Sequence, residues 1–109
     1  MEIKAIIRTD RLLDVVHALQ ALHGMPGLTV SAVRGFGRRS PATPGAAPTF
    51  DEVPLSKLEA VVDDTMTSMV VDVILRRAQT GRPGDGKIFI APVFEAVQIR
   101  DGARRGREE

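Results

Sequence analysis

The chain has 109 residues, 43% of them hydrophobic and 27% charged, with a formal net charge of +1. That composition fits one ordinary globular domain and excludes wholesale disorder, and the near-balanced charge gives no general case for binding nucleic acid or a membrane surface. The absence of cysteine removes disulfides, thiolate metal sites and cysteine nucleophiles, and fits a reducing, cytoplasmic setting. Met1-Glu2-Ile3-Lys4 opens without the apolar core of a signal peptide, and no apolar run approaches a membrane span. A domain this small gains stability from self-association.

Ile3, Ala5 and Ile7 alternate along Met1 to Arg8 and predict a first strand, with Ile6 hinting that the second face is also covered. Thr9 is placed to cap the helix that follows, with Asp10 in its first turn. Leu12, Val15, Val16, Leu19 and Leu22 recur at helical spacing. His17 and His23 fall in or just after that helix and read as surface or packing residues, not metal ligands. Gly24, Pro26 and Gly27 end the helix. Leu28 to Phe36 alternates again and predicts a second strand.

Ser40 to Pro54 is rich in proline, glycine and small residues and predicts a long exposed loop. Loops of that length in small domains bind something or are disordered. Leu58, Ala60 and Val62 mark a third strand over Leu55 to Val62. Asp63 and Asp64 supply an N-cap for a second helix, whose apolar stripe is Met66, Met69, Val70, Val73 and Ile74. Those methionines read as core filler. Arg76 and Arg77 suit its C-terminus.

Thr80-Gly81-Arg82-Pro83-Gly84-Asp85-Gly86-Lys87 follows. Glycines let a ligand approach main-chain N–H groups, successive N–H groups form an anion cradle, and Lys87 adds a point charge that suits phosphate. The same residues also make a helix-to-strand turn, and both readings stand on the loop alone. A Walker A loop is excluded because Ile88, not serine or threonine, follows the lysine. Ile88 to Pro92 predicts a fourth strand and Val93 to Arg100 a fifth; 101–109 is a charged tail expected to be flexible. The order βαββαβ predicts an α+β, ferredoxin-like sandwich with helices on one sheet face. The other face then needs a partner, which predicts an oligomer.

Several segments together resemble the PII nitrogen-regulatory signal-transduction proteins: Thr29-Val30-Ser31, Val33-Arg34-Gly35-Phe36-Gly37-Arg38, Ala78-Gln79-Thr80-Gly81, Gly84-Asp85-Gly86-Lys87-Ile88-Phe89 and Ile99-Arg100-Asp101-Gly102. The resemblance runs nearly the whole chain as a single PII-like domain. It implies a homotrimer that binds ATP or ADP, or AMP, between subunits. It implies nucleotide contacts at Thr29, Gly35, Phe36, Gly37, Arg38, Gly84, Asp85, Gly86, Lys87 and Arg100, with no catalytic and no metal-ligating residue assigned. It implies a cytoplasmic regulator that is not an enzyme. The segment 38–55, with Arg39 to Leu55 at its heart, would be the T-loop that contacts a membrane transporter or a metabolic enzyme, without insertion into the membrane and without nucleic acid.

Departures from the pattern mark a divergent member. Arg39 stands where the family has the glutamine that helps bind Mg²⁺ and 2-oxoglutarate, and Leu55 where it has a lysine for the 2-oxoglutarate carboxylate. The chain has no tyrosine, which rules out uridylylation at the familiar site, and Gln98 replaces the first of two C-terminal arginines. Little dependence on 2-oxoglutarate is therefore expected; some related branches accompany transport of bicarbonate or metals. Two alternatives share the same frame. An RNA reader would want sheet aromatics, and the chain has four phenylalanines and no tyrosine or tryptophan. A small phosphate-handling enzyme of acylphosphatase type would want an asparagine beside its arginine, and the chain has none.

Overall fold

The computed structural model describes residues 1–39 and 43–106, apart from the side chains of Arg38, Arg39, Phe50 and Asp51. The elements are β1 (Glu2–Arg8), α1 (Leu12–Gln20), β2 (Thr29–Arg39), β3 (Thr49–Val61), α2 (Thr67–Ala78), β4 (Gly86–Ala91), β5 (Glu95–Val97) and β6 (Arg104–Gly106). Four strands form one sheet in the order β2-β3-β1-β4, and each neighbouring pair is antiparallel. This is the ferredoxin-like arrangement that the element order predicts.

Alternation in β1 decides which face is covered. Ile3, Ala5 and Ile7 are buried, and they pair with Ala60, Leu58 and Ser56 of β3. Val15 and Leu19 of α1 and Val70, Val73, Ile74 and Ala78 of α2 close over them. Full burial of a Val, Leu or Ile side chain is worth about 1.5–3 kcal/mol, so this single layer supplies most of the driving force. Asp14 and Arg77, 3.6 Å apart, pair across the two helices at the surface. The opposite face carries Lys4, Ile6 and Arg8, flanked by Lys57, Leu55, Lys87 and Phe89 in register, and no element among the described residues covers it. Phe89 is 52% exposed.

Neither expected helix cap forms. Each helix is preceded by a 3₁₀ turn, Thr9–Arg11 and Asp64–Met66, and has no side-chain cap. The Thr9 hydroxyl lies 3.1 Å from that of Ser56. Ser56 is the buried polar residue beside the core, and a buried hydroxyl needs a partner more than an exposed helix end does. Asp64 instead receives the Met1 ammonium at 3.2 Å.

The predicted loop is shorter than Ser40 to Pro54. β2 continues to Arg39 and β3 begins at Thr49, paired from Arg39↔Thr49 inward. β1 ends at Arg8, opposite Leu55, so 34–54 leaves the sheet as a two-stranded ribbon. Arg34 and Glu52 bridge its arms at 3.0 Å. Pro54 fits a strand here because β3 has a free side past Leu55 and one missing N–H is tolerated. The described tip is 43–48; Ser40 to Ala42 lie outside the described residues. The fifth strand is Glu95–Val97 alone, and it pairs with β6 in a separate hairpin. Part of the expected flexible tail is therefore ordered. Gln98 N–H donates to Ala103 O and Gly102 N–H to Gln98 O, both at 2.7 Å. Arg107 to Glu109 lie outside the described residues.

Candidate functional site

The glycine loop connects α2 to β4 and is organised from inside by one carboxylate. Asp85 accepts from the Thr80 N–H and the Gly81 N–H, each at 2.8 Å, from the Thr80 hydroxyl, and from Arg8 Nε at 2.9 Å. Arg8 also donates through Nη2 to the Pro83 carbonyl at 2.7 Å. The Thr80 hydroxyl in turn accepts from the Arg82 N–H at 3.2 Å. These donors, the Thr80 hydroxyl first and Arg8 next, hold the Asp85 carboxyl well below the usual carboxylate range, against a smaller opposing effect of desolvation. Asp85 is thus an anion that the loop has already bound. Of the N–H groups ahead of β4, those of Thr80 and Gly81 are committed to it, while those of Gly84 and Asp85 have no partner among the described residues.

Two glycines make this geometry possible. Gly84 has φ +89 and Gly86 φ +103, a region L side chains rarely adopt. At Gly86 a β-carbon would also collide with β1, because the two backbones are in contact there. Lys87 follows at once in β4, exposed and without an ion-pair partner among the described residues. The loop stands at one end of a cleft of about 400 Å³ between α2 and β4, whose apolar wall includes Ile74, Leu75, Ile88 and Ile90.

Apart from Arg100, the other predicted contacts are on β2. Thr29 is exposed opposite Glu59, and Gly35 is half-buried opposite Val53. A β-carbon on Gly35 would fall 2.5 Å from Leu55 Cδ1, so this glycine keeps room for a neighbouring side chain as well as for a ligand. Phe36 is 61% exposed, and Gly37 has open space around its α-carbon. The Arg38 backbone pairs with Phe50; its side chain lies outside the described residues. Arg100 is exposed in the turn between β5 and β6, with no hydrogen bond or ion pair among the described residues. One chain does not bring these groups together. β2 and β4 are opposite edges of the sheet, with β3 and β1 between them.

Both clusters nevertheless lie toward the same end of the sheet, the end where β1 stops and the ribbon leaves it. Residues 1–103 match the family model described as "Nitrogen regulatory protein P-II". The chain is 41% identical over 108 residues to a nitrogen regulatory protein P-II of Rhodospirillum rubrum, covering 96% of each chain. It is 47% identical over 104 residues to the P-II 2 protein of Methanothermobacter thermautotrophicus, covering 93% of this chain and 90% of that one. To the P-II 1 protein of Escherichia coli it is 44% identical over 104 residues, covering 93% and 92%. The chain belongs to the P-II family.

P-II proteins are a signalling family whose members act as regulators of partners. For this P-II chain the sequence reading found the glycine loop but missed Arg8, which it treated only as the end of a strand. No local signal marks that residue, because its partner lies 77 positions away. Asp85 was read as part of a loop that holds phosphates by its N–H groups; its side chain faces into the loop, and its N–H has no partner among the described residues. No helix among the described residues is long and apolar enough to cross a membrane.

Proposed function

We propose that the protein is a cytoplasmic homotrimer that binds ATP or ADP between subunits and signals to a transporter or metabolic enzyme through the 34–54 ribbon. The observation that carries this reading is the split site. Gly84 to Lys87 and Gly35 to Arg38 belong to opposite sheet edges, three strand spacings or about 14 Å apart, and neither edge has a further strand beside it among the described residues. A second copy set edge to edge would bring the glycine loop of one chain to the β2 segment of the next. The uncovered sheet face, with Ile6, Val33, Leu55 and Phe89, gives such an assembly apolar surface to bury. Lys87 and Arg100, both exposed and without ion-pair partners among the described residues, supply charge for phosphates.

Within such a site Gly84 and Asp85 offer N–H donors, and Lys87 offers an ammonium beside them. Arg39 occupies the position of the Mg²⁺-binding glutamine, and a guanidinium offers no lone pair to a cation. The nucleotide's charge would then fall on protein cations. Leu55 removes a cation from the second-effector position, so binding should not depend on 2-oxoglutarate. Light scattering together with calorimetric titration of ATP, ADP and AMP tests the reading. A trimer that binds ATP or ADP supports it, and a monomer at micromolar concentration, or a trimer indifferent to all three, overturns it.

A further inference from the structure

We infer that Arg8 and Asp85 are positioning residues that clasp the glycine loop, holding its free N–H groups and Lys87 in place for a phosphate while neither side chain touches the phosphate. The inference rests on the nucleotide reading above. Three observations lead to it.

The first is where the donors go. Arg8 spends Nε on Asp85 and Nη2 on the Pro83 carbonyl. Its guanidinium therefore grips the loop at two points two residues apart, one a side chain and one the main chain. A lysine has a single mobile ammonium and does not offer that planar fork.

The second is where the clasp is anchored. Arg8 is the last residue of β1, and Ile7 pairs with Gly86 in β4. β1 is a central strand of the sheet, paired on both sides, so the clasp ties the loop of 80–85 to a strand held by two neighbours. Without it the loop's only covalent anchors are the ends of α2 and β4, and three of its residues are glycines at positive φ, counting Gly86 at its edge.

The third is charge. Asp85 lies two residues before Lys87 in a segment entering a strand, so a bare carboxylate there would repel an incoming phosphate. The Arg8 guanidinium and the loop donors offset that charge locally. Side-chain exposure is 25% for Arg8 and 22% for Asp85, so the pair is shielded enough to be ordered. Arg8 is consequently spoken for, and it is not a free cation for a second anionic effector.

The experiment compares the full-length wild type with Arg8→Gln, Asp85→Asn and the double variant. ATP affinity is measured by calorimetry, and amide hydrogen exchange is measured at Thr80 and Gly81. The expected result is a loss of about tenfold in ATP affinity for each single variant. The double variant should lose no more than the worse single, because the two residues act as one unit. Exchange at Thr80 and Gly81 should rise in every variant without added nucleotide, and Arg8→Lys should recover only part of the loss. Wild-type ATP affinity in the single variants, or losses that multiply in the double, overturns the inference while leaving nucleotide binding intact. Unchanged exchange at both amides overturns it as well, even if affinity falls. If the wild type itself takes up no ATP, the nucleotide reading fails by that measurement, and the role in phosphate positioning falls with it; exchange still reports separately whether the clasp orders the loop.

Discussion

A β-carbon placed on Gly86 would stand 1.7 Å from the carbonyl oxygen of Ile6. β4 enters the sheet at that point, and the glycine lets its backbone pass β1 in contact. Gly86→Ala therefore faces both a collision with main chain and an unfavourable φ of +103. Neither can be relieved by rotating a side chain. The variant should lose at least about 1–3 kcal/mol of stability, seen as a lower urea midpoint. Gly37→Ala, where the space is open, should change stability far less. Equal midpoints for Gly86→Ala and wild type would show that β4 does not enter the sheet in this way.

Lys87 should carry much of the phosphate interaction. The N–H groups of the loop are neutral donors, so charge neutralisation falls to side chains, and Arg8 is already paired with Asp85. Removing one partner of a charge-assisted contact costs about 1.5–3 kcal/mol, or about ten- to a hundredfold in affinity. Lys87→Ala should lose that much for ATP and ADP and little for adenosine, with the fold of the chain preserved because the side chain lies outside its core. Wild-type affinity for ATP in this variant would reduce the loop to a turn.

Acid should loosen the glycine loop. The Asp85 carboxyl is held well below its ordinary value by the Thr80 hydroxyl, Arg8 and the Thr80 and Gly81 N–H groups. For a carboxyl whose folded pKa is depressed, the stabilisation is fully present above the unfolded value near 3.9 and is lost as pH falls through the folded value. The stability gap between wild type and Asp85→Asn should therefore be widest above about pH 5 and narrow as pH falls toward 2. Thermal midpoints across that range would reveal it, and parallel curves for the two proteins would contradict it.

Limited proteolysis should find the ribbon tip. An isolated two-stranded hairpin is marginal in water, and 34–54 has no third strand beside it among the described residues. The arms are nevertheless paired from Arg39↔Thr49 inward. Nicking in the free protein should concentrate at 43–48 and spare Val53 to Leu55, and a bound partner should suppress it. Cuts spread evenly through 49–55 would show that the arms are not paired in solution.

How much of this was legible in the sequence differs from element to element. The period-2 alternation of Ile3, Ala5 and Ile7 and the helical stripe of Val70, Val73 and Ile74 determined the strands, the helices and the core, because burial of one face is written locally. The order of those elements determined the ferredoxin-like sheet. The residue types at Gly84 to Lys87 and Gly35 to Arg38 marked the two parts of a candidate site, since glycine and cation chemistry show in the letters themselves. Other features came only from the tertiary structure. Leu55 was legible as strand, but the pairing of 49–54 with β2 was not, because Asp51, Glu52 and Pro54 break any apolar alternation, the prolines and small residues of 41–48 precede it, and the ladder itself supplies the order. Thr9 and Asp63 looked like helix caps; the hydroxyl of Thr9 went to buried Ser56 because unmet burial outweighs an exposed helix end. Above all, the use of Asp85 was decided partly within its own loop, by Thr80 and Gly81, and partly by Arg8, 77 residues away. The sequence shows an acid in a glycine loop, and only folding puts a guanidinium against it, because the register of β1 with β4 exists nowhere but in the assembled sheet.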